Sequence, residues 1–124
     1  MLFALLLSLF TQPSAHAFGT SICHLVGQAV DVTYTAGDGQ TYTDTLVVGD
    51  PADRCPGRCG KSCGPRGIYT MECLQHDACE HRFGTSLGPC KMLGALAAPG
   101  FMHGEACSAG DAGPGRGGDD GQDD

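Results

Sequence analysis

The residues best placed to do chemistry together lie in "CLQHDACEH", Cys73–His81. His76 stands beside Asp77, with Cys73 three residues before the histidine and Cys79 three residues after it. A neutral imidazole can take a proton from water near neutral pH. A carboxylate is a hard oxygen ligand, suited to Ca2+. Upstream, "RCGKSCG" at Arg58–Gly64 is a Gly/Cys-rich loop. Such a loop can turn several backbone carbonyls toward one ion, and calcium accepts roughly six to eight oxygens. A cation held there would polarise a carbonyl group and stabilise the oxyanion formed when water attacks an ester. Adjacent helix positions diverge by about 100°, so His76 and Asp77 can serve the water and the metal separately.

These side chains need a helix to carry them. Tyr69–Phe83, "YTMECLQHDACEHRF", contains no Gly or Pro and ends before Gly84. It predicts a helix of about four turns. At helical spacing Cys73, His76, Asp77 and Glu80 share one face, and Met71, Leu74 and Ala78 the other. Earlier in the chain Val30, Val32 and Tyr34 alternate with polar residues. "AGDGQ" supplies turn chemistry, and Tyr42, Leu46 and Val48 then fall on one parity. This predicts a β-hairpin within residues 29–48. Between hairpin and helix, Pro51, Pro56 and Pro65 with five glycines predict an irregular loop that needs cross-links. Lys91–Ala98 predicts a second short helix, broken at Pro99-Gly100, and Phe101–Cys107 the start of a third. The fold class is therefore mainly α with a small β-hairpin.

Composition sets the frame. "LFALLLSLF" is an apolar run, followed by polar and small residues and then "AHA" at Ala15–Ala17. That is the pattern of a secretory signal peptide over residues 1–17. The run is shorter than the roughly 20 apolar residues needed to span a bilayer. Residues 18–107 read as one small disulfide-rich domain. Residues 108–124, "SAGDAGPGRGGDDGQDD", read as a disordered Gly/Asp-rich tail that cannot bury enough surface to offset its ordering entropy. All eight cysteines lie after the expected leader, so disulfides in a secreted, extracellular protein are the default expectation. Their connectivity is not fixed by sequence. Cys55, Cys59, Cys63, Cys73 and Cys79 with His76 and His81 also form a set that could bind zinc. The formal net charge is −7, which argues against a nucleic-acid partner. Residues 54–91 nevertheless hold six Lys/Arg against Glu72, Asp77 and Glu80. An anionic lipid surface could be met there. The chain is expected to be a monomer.

"C-x-x-H-D-x-C" at Cys73–Cys79, preceded by the "C-G-x-x-C-G" loop, resembles the secreted phospholipase A2 superfamily. Within it the likeness is to small microbial and fungal domains. The resemblance covers Arg58–His81, about a fifth of the chain. It implies a phospholipase A2-like helical core. It also implies a calcium-dependent ester hydrolase that releases the sn-2 fatty acid from glycerophospholipids, acting at phospholipid membranes or micelles. His76 matches the histidine that activates water, and Asp77 the calcium-binding carboxylate. Gly60 matches the glycine whose carbonyl binds calcium and whose N–H faces the oxyanion. Arg58 and Ser62 match neighbouring carbonyl ligands. Cys59 and Cys73 match a loop-to-helix disulfide, and Cys79 a link to a later helix, here at Cys107. Cys23, Cys55, Cys63 and Cys90 remain unassigned.

The family orients its histidine with a second Asp directly after the later-helix cysteine. Here Ser108 follows Cys107. Asp111, one helical turn on, and Glu80 are the substitutes in sight. Loss of an orienting carboxylate lowers catalysis through a wrong tautomer or ring pose. The second expectation is therefore a catalytically impaired phospholipase A2-like module that binds lipid or protein.

Overall fold

The structure is a computed structural model that describes residues 19–60, 63–64 and 66–108. The expected leader, Ser62, Asp111 and all of the expected tail but Ser108 lie outside these residues. Strand β1 (Ala29–Thr35) pairs antiparallel with β2 (Thr41–Val47). Val30 faces Leu46, Val32 faces Asp44, and Tyr34 faces Tyr42. Alternation puts these six side chains on one face of the hairpin. Val32, Tyr34 and Leu46 are buried there, and Val48 closes the core just beyond β2.

Asp44 is the polar residue on that inner face. It accepts hydrogen bonds from the Tyr34 hydroxyl at 2.7 Å and from Arg82 Nε at 3.1 Å. The Arg82 guanidinium lies 4.5 Å from the centre of the Tyr42 ring. Gln75 also donates to the Thr33 carbonyl. Arg82 and Gln75 belong to the first long helix, so these contacts fix the helix on the hairpin.

That helix, α1, spans Met71–Phe83. It starts two residues later than expected. Tyr69 and Thr70 instead form isolated bridges to Arg58 and Ser21. The Thr70 hydroxyl then accepts the Cys73 N–H at 3.0 Å and caps the helix. Gly84 ends it in the left-handed conformation, with φ of 75°. Leu74, Ala78 and Cys79 are buried against the hairpin core.

The second helix, α2, spans Lys91–His103 and continues through Pro99. The expected break at Pro99-Gly100 does not occur. Proline costs one backbone hydrogen bond and crowds the preceding turn. Here Leu93, Ala97 and Gly100 are buried along α2 on both sides of it, and that burial holds the helix together. The third helix does not form either. Ala106 bridges to Ile68, and the Cys107 N–H donates to the Gly67 carbonyl at 2.8 Å, so the chain leaves α2 extended.

All eight cysteines are paired: Cys23–Cys107, Cys55–Cys63, Cys59–Cys73 and Cys79–Cys90. The loop-to-helix link Cys59–Cys73 is present. The expected Cys79–Cys107 link is replaced. Cys90 sits at the start of α2, 5.6 Å in Cα separation from Cys79. Cys107 has left α2 along Gly67 and meets Cys23 near the start of the described chain. With no free cysteine, thiolate-bound zinc is removed as an alternative. This density of disulfides is typical of extracellular proteins. Among the described residues no helix is long and apolar enough to cross a membrane.

Peptide mapping of unreduced protein is expected to recover Cys79 linked to Cys90 and never to Cys107. Replacing both Cys79 and Cys90 by Ala is expected to cost about 2–4 kcal/mol in denaturant unfolding.

Candidate functional site

A cleft of about 560 Å³ opens between α1, the Cys-rich loop and α2. His76, Asp77 and Glu80 enter it from α1. Asp53, Arg54, Arg58 and Gly60 enter from the loop, and Gly94, Ala97 and Phe101 from α2. The Cys59–Cys73 disulfide forms part of its wall.

Asp77 is half-buried, and its Oδ2 accepts the Gly57 N–H at 2.8 Å. Gly57 is fixed in turn, because its carbonyl accepts the Thr70 N–H at 3.2 Å. Its φ is +91°, and an added Cβ would lie 3.1 Å from Ile22 Cδ1, so only glycine brings the amide to this place. Burial pushes the Asp77 carboxyl up to about 7; the Gly57 N–H opposes this, the charge of Glu80 adds to it, and that of Arg54 opposes it. A carboxylate held out of water in this way gains from any cation that enters the cleft. His76, Asp77 and Glu80 can each offer one ligand atom, all within 4.8 Å of one another.

His76 Nε2 lies 3.4 Å from the Ser86 carbonyl oxygen. A carbonyl only accepts, so this contact requires the proton on Nε2 and leaves the lone pair on Nδ1. Among the described residues this carbonyl, not the Glu80 carboxylate, is the ring's hydrogen-bond partner. The α2 helix covers the same edge. A Cβ on Gly94 would lie 3.1 Å from Nε2, so any larger residue there would press on the His76 ring and make it shift. Ser86 and Gly94 escaped the sequence expectations. The available signal was a glycine inside a helical run, which costs about 1 kcal/mol unless close approach requires it.

The loop is held from both sides. Gly60 has φ of +105°, and a Cβ there would lie 3.2 Å from the Phe101 ring. Cys59 fixes the adjacent position to α1 through Cys73. Arg58 Nη2 donates to the Arg66 carbonyl at 2.8 Å. No hydrogen bond reaches the Gly60 carbonyl among the described residues. The structure thus gathers His76, Asp77, Glu80, Arg58 and Gly60 around one cleft. Ser62 and Asp111 fall outside the described residues. Cys79 is fully buried and Cys107 lies outside the cleft lining.

No protein-family model, curated protein or solved structure matches this chain.

The raised Asp77 pKa has a measurable consequence. In the folded protein it lies at about 7, above the ordinary value of 3.8, so the folded state binds the extra proton between the two. Stability from this group is therefore lost as pH rises from about 4 to about 7. In metal-free protein, Asp77→Asn is expected to remove that loss and raise the Tm at pH 8. Each tenfold difference in proton affinity between folded and unfolded chain is worth about 1.4 kcal/mol. About 1 kcal/mol moves the Tm of a domain of 60–100 residues by about 4–8 °C. A Tm difference between the two proteins that is the same at pH 4 and pH 8 would contradict the assignment.

Proposed function

We propose that this cleft belongs to a secreted, calcium-dependent hydrolase of the phospholipase A2 type, which releases the sn-2 fatty acid from glycerophospholipids. The observation that carries the proposal is the side-by-side presentation of His76 and a desolvated Asp77, facing a disulfide-held glycine loop. The donor set fits a hard cation. Asp77 and the nearby Glu80 supply carboxylate oxygens, and the Arg58 and Gly60 positions are the loop carbonyls that would complete it. When bound, calcium would polarise the ester carbonyl and stabilise the oxyanion.

The remaining chemistry is the protein's own. The Ser86 carbonyl holds the proton on Nε2 of His76, so Nδ1 is the basic atom. Nδ1 takes a proton from water as the water oxygen bonds to the sn-2 carbonyl carbon. The resulting imidazolium returns that proton to the departing lysophospholipid oxygen, and the ester C–O bond breaks. A neutral carbonyl steadies an imidazolium less than a carboxylate does. The turnover is therefore expected to be slower than with an orienting Asp. The same feature favours the second reading, a lipid-binding module with little catalysis.

Apolar surface next to the cleft suits a lipid interface. Phe101 lines the cleft and is 57% exposed. Met92, Leu96 and Met102 are exposed elsewhere on α2, outside the cleft lining, and Leu87 lies just before the helix.

Purified oxidised protein is expected to release fatty acid from phospholipid vesicles only with calcium, and His76→Gln to lower the rate by about 10³-fold or more. Absence of release with millimolar calcium sinks the hydrolase; vesicle binding that persists in His76→Gln would then favour the binding module. At limiting calcium, activity is expected to rise with pH, because the Asp77 carboxyl must lose its proton to solvent before it can hold the cation. Gly94→Ala gains up to about 1 kcal/mol of helix propensity but pushes on Nε2. It is expected to fold normally while losing about tenfold in kcat.

A further inference from the structure

We propose that Arg54 is the headgroup-recognising residue of the cleft and directs it toward anionic glycerophospholipids, an inference that rests on the hydrolase proposed above. Arg54 and Cys55 have φ of 59° and 53°, and they are the only non-glycine residues with positive φ among those described. The left-handed conformation crowds an L side chain. Elsewhere in this loop positive φ falls on Gly57 and Gly60, where no side chain is needed. At position 54 the chain keeps a long side chain despite the conformation. Such backbone persists where the surroundings enforce it, and it clusters at functional sites.

The enforcement is visible. Pro51–Asp53 forms a 3-10 turn, capped by the Asp50 carboxylate, which accepts the Ala52 N–H at 3.0 Å. The Arg54 N–H donates to the Pro51 carbonyl at 3.4 Å, and the Cys55 N–H to the Asp50 carbonyl at 2.8 Å. Cys55 is then tied to Cys63. The turn leaves Arg54 exposed at the cleft, lining it beside Asp53.

The Arg54 guanidinium makes no ion pair or hydrogen bond among the described residues, although its charge acts on Asp77. Its neighbours are engaged. Asp53 lies 3.4 Å from His81 Nε2, and the Arg58 guanidinium donates to the Arg66 carbonyl. Deeper in the cleft Asp77 and Glu80 carry the acidic charge that a bound cation would neutralise. What remains at the rim is a planar cationic fork. That geometry matches a phosphate or a carboxylate bidentately. A lipid whose headgroup adds no ammonium leaves that attraction unopposed, whereas a choline headgroup brings a like charge to the same rim.

The test is hydrolysis of monomeric dihexanoyl phosphatidylglycerol and dihexanoyl phosphatidylcholine below their micellar concentrations, with calcium present. Monomers separate recognition in the cleft from adsorption to a charged surface. Wild type is expected to prefer the glycerol lipid by about tenfold in kcat/KM. Arg54→Gln is expected to bring the two substrates within about twofold, mainly through KM, and Arg54→Lys to recover part of the preference. Arg54→Gly is expected to lose the preference while raising the Tm, because it relieves the backbone without restoring the charge. Lys91→Gln, which removes an exposed cation from α2 outside the cleft lining, is expected to leave the ratio unchanged. Equal hydrolysis of both lipids by wild type, or a preference that survives Arg54→Gln, overturns this inference and leaves the hydrolase standing. Hydrolysis of neither overturns both.

Discussion

The covalent link between Cys59 and Cys73 is the constraint on which the cleft depends. The loop around it has too many Pro and Gly residues to hold a shape through backbone pairing alone. Bonded to α1, it places the Gly57 amide on Asp77 and Gly60 beneath Phe101. The hydrocarbon on this side is slight. Cys59, Cys73 and Ala97, with Ile68 against them, form a small cluster of their own. The larger core lies between the hairpin and the opposite face of α1. Sulfur thus does on the cleft side what Val32, Leu74 and Val48 do on the other.

Around the cleft the chain repeatedly accepts a local cost. Asp77 is kept from water with one amide donor for company. Arg54 and Cys55 occupy a conformation better suited to glycine. Gly94 sits in a helix interior, where alanine would be intrinsically better, because the His76 ring takes the space of its side chain. Each cost accompanies something presented to the cleft: a partly desolvated carboxylate, an exposed guanidinium without an ion pair among the described residues, and an imidazole with one nitrogen against a carbonyl. A domain of marginal stability sustains such concessions only where the scaffold is stiff, and the four disulfides supply that stiffness.

Much of this was legible from residue types at short range. Alternation around "AGDGQ" located the hairpin, and the Gly-free run ending before Gly84 located α1 with its polar face. Long-range geometry was harder to read. Pro99 looked like a helix end because the local rule is strong, yet burial of Leu93, Ala97 and Gly100 carries α2 across it. Cys79 pairs with Cys90 because α2 begins beside α1, a fact of packing that spacing does not encode. The orienting partner of His76 is a backbone carbonyl, which every residue possesses, so no residue type could have pointed to Ser86.

The central claim is that Asp77 and the loop beside it form a calcium site for the proposed hydrolase. Calorimetric calcium titration of the oxidised protein near pH 7, in two buffers of different ionisation enthalpy, tests it most directly. The account predicts one saturable site, with a heat that depends on the buffer because Asp77 releases its proton on binding, and loss of that site in Asp77→Asn. Absence of saturable binding, or binding that Asp77→Asn leaves intact, would contradict it.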